Sequence, residues 1–478
     1  MKLRTIIQSL GLLGGLAPSL LAGLATGLLA STAHAKVHGV TGPAFSLEAK
    51  PVYISAADGI SIYNWGFGVV GSPTQYPAPT LIVNQGQAVT LTLTNTLPTR
   101  TSIVFPGQSG VTASCAIPAH CVASPIGQLT TEVVPGGTIT YTFNATHAGT
   151  YTYHSGTQLD VQLEMGLAGA LIVRPAVAGV TIANQAYEHA DTKFNPGREY
   201  LLMLSEMDAV RHQSVLDQVN ALPAVSSPDW RVDTSTWGAY APRYWFINGR
   251  NSPDTLASAF APALPHQPYN SLVQMHPGDD VLLRVINMGR DLHPFHHHGN
   301  NTWTVARDGR MLKRPASAGP DLAQSDFTLR MVPGQTVDAI WRWTGAGLNW
   351  DMYGDKCNLA MPVSATNCRS GKYTAAGVLT DPPIAGWTPT QTPGDFYKPL
   401  PVRLPAELEL TYGEMYSGSP FLGAPGVKPV GAGAANTTGG YFHMLHSHNE
   451  KEIINDGVFP GGMMTMVLIQ PPHVAIVE

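Results

Sequence analysis

Residues 88–95, Ala-Val-Thr-Leu-Thr-Leu-Thr-Asn, alternate apolar and polar side chains without a break. A segment with that period buries one face of a β-strand, so Val89, Leu91 and Leu93 are expected to point inward. The pattern returns 192 residues later: with Gly86 set on Gly278, Val89, Leu91, Leu93 and Asn95 fall on Val281, Leu283, Val285 and Asn287. Flanking segments repeat in the same order. Leu81–Gly86 corresponds to Val273–Gly278, the Pro135-Gly136-Gly137-Thr138 turn to Pro333-Gly334-Gln335-Thr336, His154-Ser155 to His446-Ser447, and the closing strand Gly169–Val173 to Met464–Ile469. Two copies of one antiparallel β-sandwich is the simplest fold for such a chain.

The composition agrees. The 49 glycines and 39 prolines, with only 12% charged residues, suit short strands joined by many turns. Local helix is expected only near Ser214 to Leu222 and Pro253 to Ala261. Residues 1–35 read as a targeting segment, 36–175 as the first sandwich, 176–250 as a linker that extends one domain, and 251–478 as the second sandwich. The 176–250 stretch holds one strand pattern, Tyr200–Leu204, and an aromatic run, Tyr244-Trp245-Phe246. The second copy carries a long Gly- and Pro-rich insertion, at about residues 345–440, of the kind that forms a surface loop shaping a site.

Lys2 and Arg4 precede an apolar stretch from Ile6 to Ala30, and Ala33-His34-Ala35 is a small-x-small cleavage signal. The mature protein is therefore expected outside the cytoplasm, periplasmic or secreted, with no membrane span left after cleavage. Removing Lys2 and Arg4 changes the formal charge from −5 to −7, which argues against nucleic acid as a partner. The four cysteines fall into two local pairs, Cys115 with Cys121 and Cys357 with Cys368, and an exported chain favours two short-range disulfides.

The chemistry is concentrated at His293-Pro294-Phe295-His296-His297-His298-Gly299, just after a strand-like run. Imidazole suits copper and zinc better than calcium or magnesium. On an extended chain His296 and His298 share a face while His297 points away. The internal repeat supplies a comparison within one molecule: His296 matches Val104, His298 matches Pro106, and His448 matches Gly156. The second copy has ligands where the first has apolar side chains or none, and His154 is the first copy's one candidate ligand.

These residues carry a resemblance to the multicopper oxidases, which are built of cupredoxin domains. Pro79–Gly86 resembles that family's opening strand and turn, and His293–Gly299 is similar to its His-Pro-x-His-x-His-Gly motif. His446-Ser447-His448 stands where the family has His-Cys-His, ahead of a Gly-Met element here represented by Gly462-Met463. The resemblance implies an all-β fold of two cupredoxin-like Greek-key sandwiches, copper as cofactor, and a small-molecule substrate oxidised with oxygen. Two ligand-bearing regions imply the two-domain branch, and with it a homotrimer with copper sites between subunits. Carried over residue by residue, His293 matches a ligand of the electron-accepting copper. His296 matches the ligand of the cluster's lone copper, and His298, His154, His446 and His448 match ligands of the coupled pair.

The departures are as informative. The family's first His-x-His-Gly is here Val104-Phe105-Pro106-Gly107, the electron-accepting cysteine is Ser447, and its later histidine is Glu452. A blue copper needs a thiolate, and a serine hydroxyl cannot replace it. The expectation is a mononuclear, non-blue copper held by His296, His298, His446 and His448, with His154 as a further ligand and His293 and His443 less central. Three readings stay open: an oxidoreductase, a copper-binding protein for storage, delivery or resistance, and a sandwich kept for interaction. Zinc is a variant of the metal. Met463, Met464 and Met466 read as core filler, and Glu450, Glu452 and Asp456 as an acidic loop that could also supply charge partners.

Overall fold

A computed structural model describes residues 37–122, 129–223, 227–343, 419–420, 441–470 and 475–476. The first copy contributes β1 (Val40–Thr41), β2 (Ala44–Ser55), β3 (Ser61–Val69), β4 (Ala78–Asn84), β5 (Ala88–Asn95), β6 (Thr112–Ser114), β7 (Thr138–Asn144), β8 (Gly149–His154) and β9 (Ala168–Arg174). They form a five-stranded sheet, β3-β2-β5-β7-β6, facing a four-stranded one, β1-β4-β9-β8. The alternation in β5 has the expected consequence: Val89, Leu91 and Leu93 are buried with Leu47, Trp65, Ile139 and Tyr153 between the layers.

The second copy is built from β10 (Glu199–Met207), β11 (Tyr244–Ile247), β12 (Val273–Met275), β13 (Asp280–Asn287), β14 (His293–His297), β15 (Thr302–Arg307), β16 (Thr328–Met331), β17 (Thr336–Arg342), β18 (Tyr441–Ser447) and β19 (Met464–Ile469). One sheet runs β11-β10-β13-β17-β15, with short strands at its edge, and the other runs β12-β19-β18-β14-β16. Val281, Leu283, Val285, Phe295 and Trp341 fill the space between them. Residues 176–250 therefore extend the second sandwich by two strands. β10 pairs in parallel with β13 and carries β11 on its other edge.

The repeat extends to hydrogen bonds. Asn95 Nδ2 donates to the carbonyls of Thr99 and Val133, and Asn287 Nδ2 donates to those of Asp291 and Met331. The Asn95 side-chain oxygen accepts from the Leu97 N–H, and the Asn287 oxygen from the Gly289 N–H. Each asparagine closes the turn after its strand, leaving few polar groups of that turn unmatched. The two sandwiches meet at a buried polar seam, where Thr150 Oγ1 and Tyr187 OH both donate to Asp338, at 2.6 and 2.5 Å.

The helix expected near Ser214 runs over Ala209–Asn220, capped by Asp208, whose carboxylate accepts the Val210 N–H at 3.1 Å. Only a three-residue turn, Asp254–Leu256, forms in the other expected helix. Cys115 and Cys121 are joined in a disulfide, while the pairing expected of Cys357 and Cys368 lies outside the described residues. Among the described residues no helix is long and apolar enough to cross a membrane.

Candidate metal centre

β14 and β18 are antiparallel neighbours, with His296 directly opposite His446 and Phe295 opposite Ser447. Strand pairing alone brings histidines from two distant parts of the chain together. Ligand nitrogens of His296, His298 and His446 all lie within 4.8 Å of one another. His298 Nε2 is 3.0 Å from His446 Nε2. His446 Nδ1 donates to the Ser447 carbonyl at 2.7 Å, which leaves Nε2 as its ligand atom. His296 Nδ1 is hydrogen-bonded to Thr328 Oγ1 at 2.8 Å. Partners of this kind on the second ring nitrogen fix tautomer and orientation in metal sites.

Burial lowers the basicity of these rings. Desolvation, with the neighbouring His298 and His446, pushes His296 down to about 3, and burial also lowers His446. Both rings are neutral at neutral pH, the state that binds a metal. His448 is exposed at the rim, its ring 5.0 Å from that of His296, and lies outside the tight group of three. His297 is buried on the opposite side of β14 against Trp341, as strand alternation requires. His443 is buried between Trp343 and Tyr441. Met463 and Met464 are buried in the second sandwich. A nitrogen-only set of three imidazoles fits copper or zinc.

His154 is placed in the first sandwich as His446 is in the second. Its Nδ1 donates to the Ser155 carbonyl at 2.8 Å, and its backbone pairs with Val104 in an isolated antiparallel bridge. With Val104 where the second copy has His296, no second imidazole stands opposite. His154 instead lines a cavity of about 550 Å³ with Val104, Phe105, Pro106 and Thr130, and it is not part of the three-histidine group.

His293 requires a correction. The motif marks it as a ligand, yet both ring nitrogens face carboxylates: Nδ1 is 2.8 Å from Glu452 Oε2, and Nε2 is 2.8 Å from Glu206 Oε2. Burial alone would lower its pKa, but the hydrogen bonds to Glu206 and Glu452 prevail and raise it to about 9. A ring donating from both nitrogens has no lone pair for a metal. Ser447 Oγ donates to the same Glu452 oxygen at 2.5 Å. Glu206 was not singled out from the sequence. The available signal was a carboxylate inside the strand Glu-Tyr-Leu-Leu-Met-Leu-Ser-Glu-Met, in which all nine residues are buried. Thr328 carried no comparable signal.

Two multicopper oxidase family models match this chain, one over residues 68–177 and the other over 241–347. Each sandwich thus carries a match to the multicopper oxidase family. Copper is the metal of this oxidoreductase family. L-ascorbate oxidase from Cucumis sativus is 34% identical over 150 residues, covering 31% of this chain and 22% of that protein. The copper-containing nitrite reductase of Pseudomonas chlororaphis is 27% identical over 239 residues, covering 48% of this chain and 55% of its own. The matched segments thus span well under two thirds of either relative. Among solved structures, the blue copper oxidase from Nitrosomonas europaea aligns over 89% of this chain and 85% of its own, with a TM-score of 0.49 and 18% identity. Both family matches end before β18, the strand that carries His446.

Proposed function

We propose that this multicopper oxidase relative is an exported oxidoreductase that holds a single non-blue copper on His296, His298 and His446 and oxidises a small molecule with oxygen. The convergence of three imidazoles within 4.8 Å carries the reading. Copper bound there would supply one-electron redox chemistry. The protein's part is to present Nε2 of His446, fixed by the Ser447 carbonyl, and His296, fixed by Thr328. Exposed His448 and the edge of Phe327, whose ring is 5.5 Å from His296, border the approach to the group. The resemblance also implies a homotrimer, which light scattering would test.

A second reading, copper storage or delivery without turnover, is favoured by one observation. His293, which the resemblance gives to the electron-accepting copper, has both ring nitrogens on the carboxylates of Glu206 and Glu452, which speaks against a copper there. Reconstitution with Cu(II) tests both readings. The expected result is about one copper per chain, a normal-width hyperfine pattern in electron spin resonance and no intense blue band. Oxygen uptake with a phenolic substrate then separates enzyme from carrier. Activity that survived His296→Ala would refute the assignment.

A further inference from the structure

Glu452 Oε2 is the point on which two of the family's former ligand positions converge, 2.8 Å from His293 Nδ1 and 2.5 Å from Ser447 Oγ. By the resemblance Glu452 itself stands at the later histidine, so residues at three of the family's ligand positions bond to one another. Its other oxygen accepts from Asn449 Nδ2 at 2.9 Å, and the Asn449 N–H donates to Ser447 Oγ at 3.2 Å. On the far side of the imidazole, Glu206 Oε2 accepts from His293 Nε2. Glu206 Oε1 accepts the backbone N–H groups of Arg290 and Asp291, at 2.5 and 3.0 Å, and the Tyr240 hydroxyl at 3.3 Å. One buried ring therefore ties three separate parts of the chain: β10, β14 and the turn at 447–452.

We propose that the Glu206–His293–Glu452 clamp does the cross-linking work of the metal ion that the family resemblance puts at this position, and that it positions His446 and His448 through Ser447. Ser447 is the residue between those two histidines, and its carbonyl is the partner of His446 Nδ1. Its hydroxyl ends on the clamp. A shift of Ser447 moves both the ligand His446 and the rim residue His448. His293 and Glu452 are positioning residues here, since neither touches the three-histidine group.

The test uses the full chain and two variants, Glu452→Ala and the milder Ser447→Ala. In metal-free protein, backbone amide exchange at 447–453 is expected to speed up at least tenfold in both variants, with exchange in β7 unchanged. Unchanged exchange at 447–453 would overturn the cross-link. The positioning half rests on the copper reading of the histidine group. Ser447→Ala and Glu452→Ala are expected to weaken Cu(II) binding by roughly ten- to a hundred-fold and to alter the hyperfine splitting, and a third, conservative variant, Glu452→Asp, is expected to keep part of the wild-type spectrum that Glu452→Ala loses. A lower melting temperature with wild-type copper affinity and spectrum would overturn the positioning role. Wild-type protein that took up no Cu(II) would defeat the copper reading alone, because the exchange measurement contains no metal.

Discussion

His298 Nε2 and His446 Nε2 point at one another across 3.0 Å, one from the end of the His-rich motif and one from the neighbouring strand. Two nitrogens this close share at most one proton between them in the metal-free protein, and a metal would take both lone pairs. Replacing either histidine by Ala is expected to reduce bound copper from about one per chain to nearly none, measured by elemental analysis after dialysis. His448→Ala is expected to keep the metal with weaker affinity, since His448 lies outside the close group.

His293 gives the metal-free protein a defined alkaline limit. Its pKa is raised to about 9 in the folded state, above the ordinary 6.5. A raised histidine pKa contributes stability that is fully present below the unfolded value and is lost as pH rises through the folded one. The melting temperature is therefore expected to fall between pH 6.5 and about 9, and His293→Asn is expected to flatten that fall. On the acid side the sign reverses. His296, lowered to about 3, destabilises the fold as pH drops below 6.5.

Gly289 is expected to tolerate no side chain. An ideal Cβ there would lie against the Glu206 carboxylate, at 1.8 Å from Oε2. That carboxylate is held by His293 and by two backbone N–H groups of the same turn, so it has little freedom to retreat. Gly289→Ala is expected to cost about 1–3 kcal/mol, read from chemical denaturation, and to lower copper uptake.

Asn95 and Asn287 offer a matched pair within one chain. Each donates to two main-chain carbonyls, and losing the side chain leaves the buried ones among them unsatisfied at about 1–3 kcal/mol. Asn95→Ala and Asn287→Ala are expected to destabilise to a similar degree. Only Asn287→Ala is expected to reduce copper binding, because its turn leads directly into β14.

Much of the scaffold could be read from the amino acids because the governing signals are local. The alternation at Val89, Leu91 and Leu93 fixes which face of β5 is buried, and the repeat transfers that reading to β13. The grouping of His296 with His446 came from the family resemblance, while strand periodicity added that His296 and His298 share a face. What was hidden depends on distant partners. Nothing near His293 in sequence announces Glu206, 87 residues away, or shows that both ring nitrogens would be taken. The family motif marks His293 as a ligand, and the motif carries no information on what faces it. His154 is a comparable case: its own backbone setting matches that of His446, but its usefulness depends on the residue opposite, which is Val104.

The placement of the three histidines on two directly paired strands makes the centre tolerant of one kind of change and intolerant of another. Side chains around it can be exchanged while the ladder of backbone hydrogen bonds stays in step. Losing one residue between Pro294 and His296 would instead rotate the strand by half a period, sending His297 outward and His296 into the packing against Trp341. Lineages carrying this chain should therefore tolerate substitutions at side chains that touch neither the ligand histidines nor the clamp, while length changes in that short segment are purged.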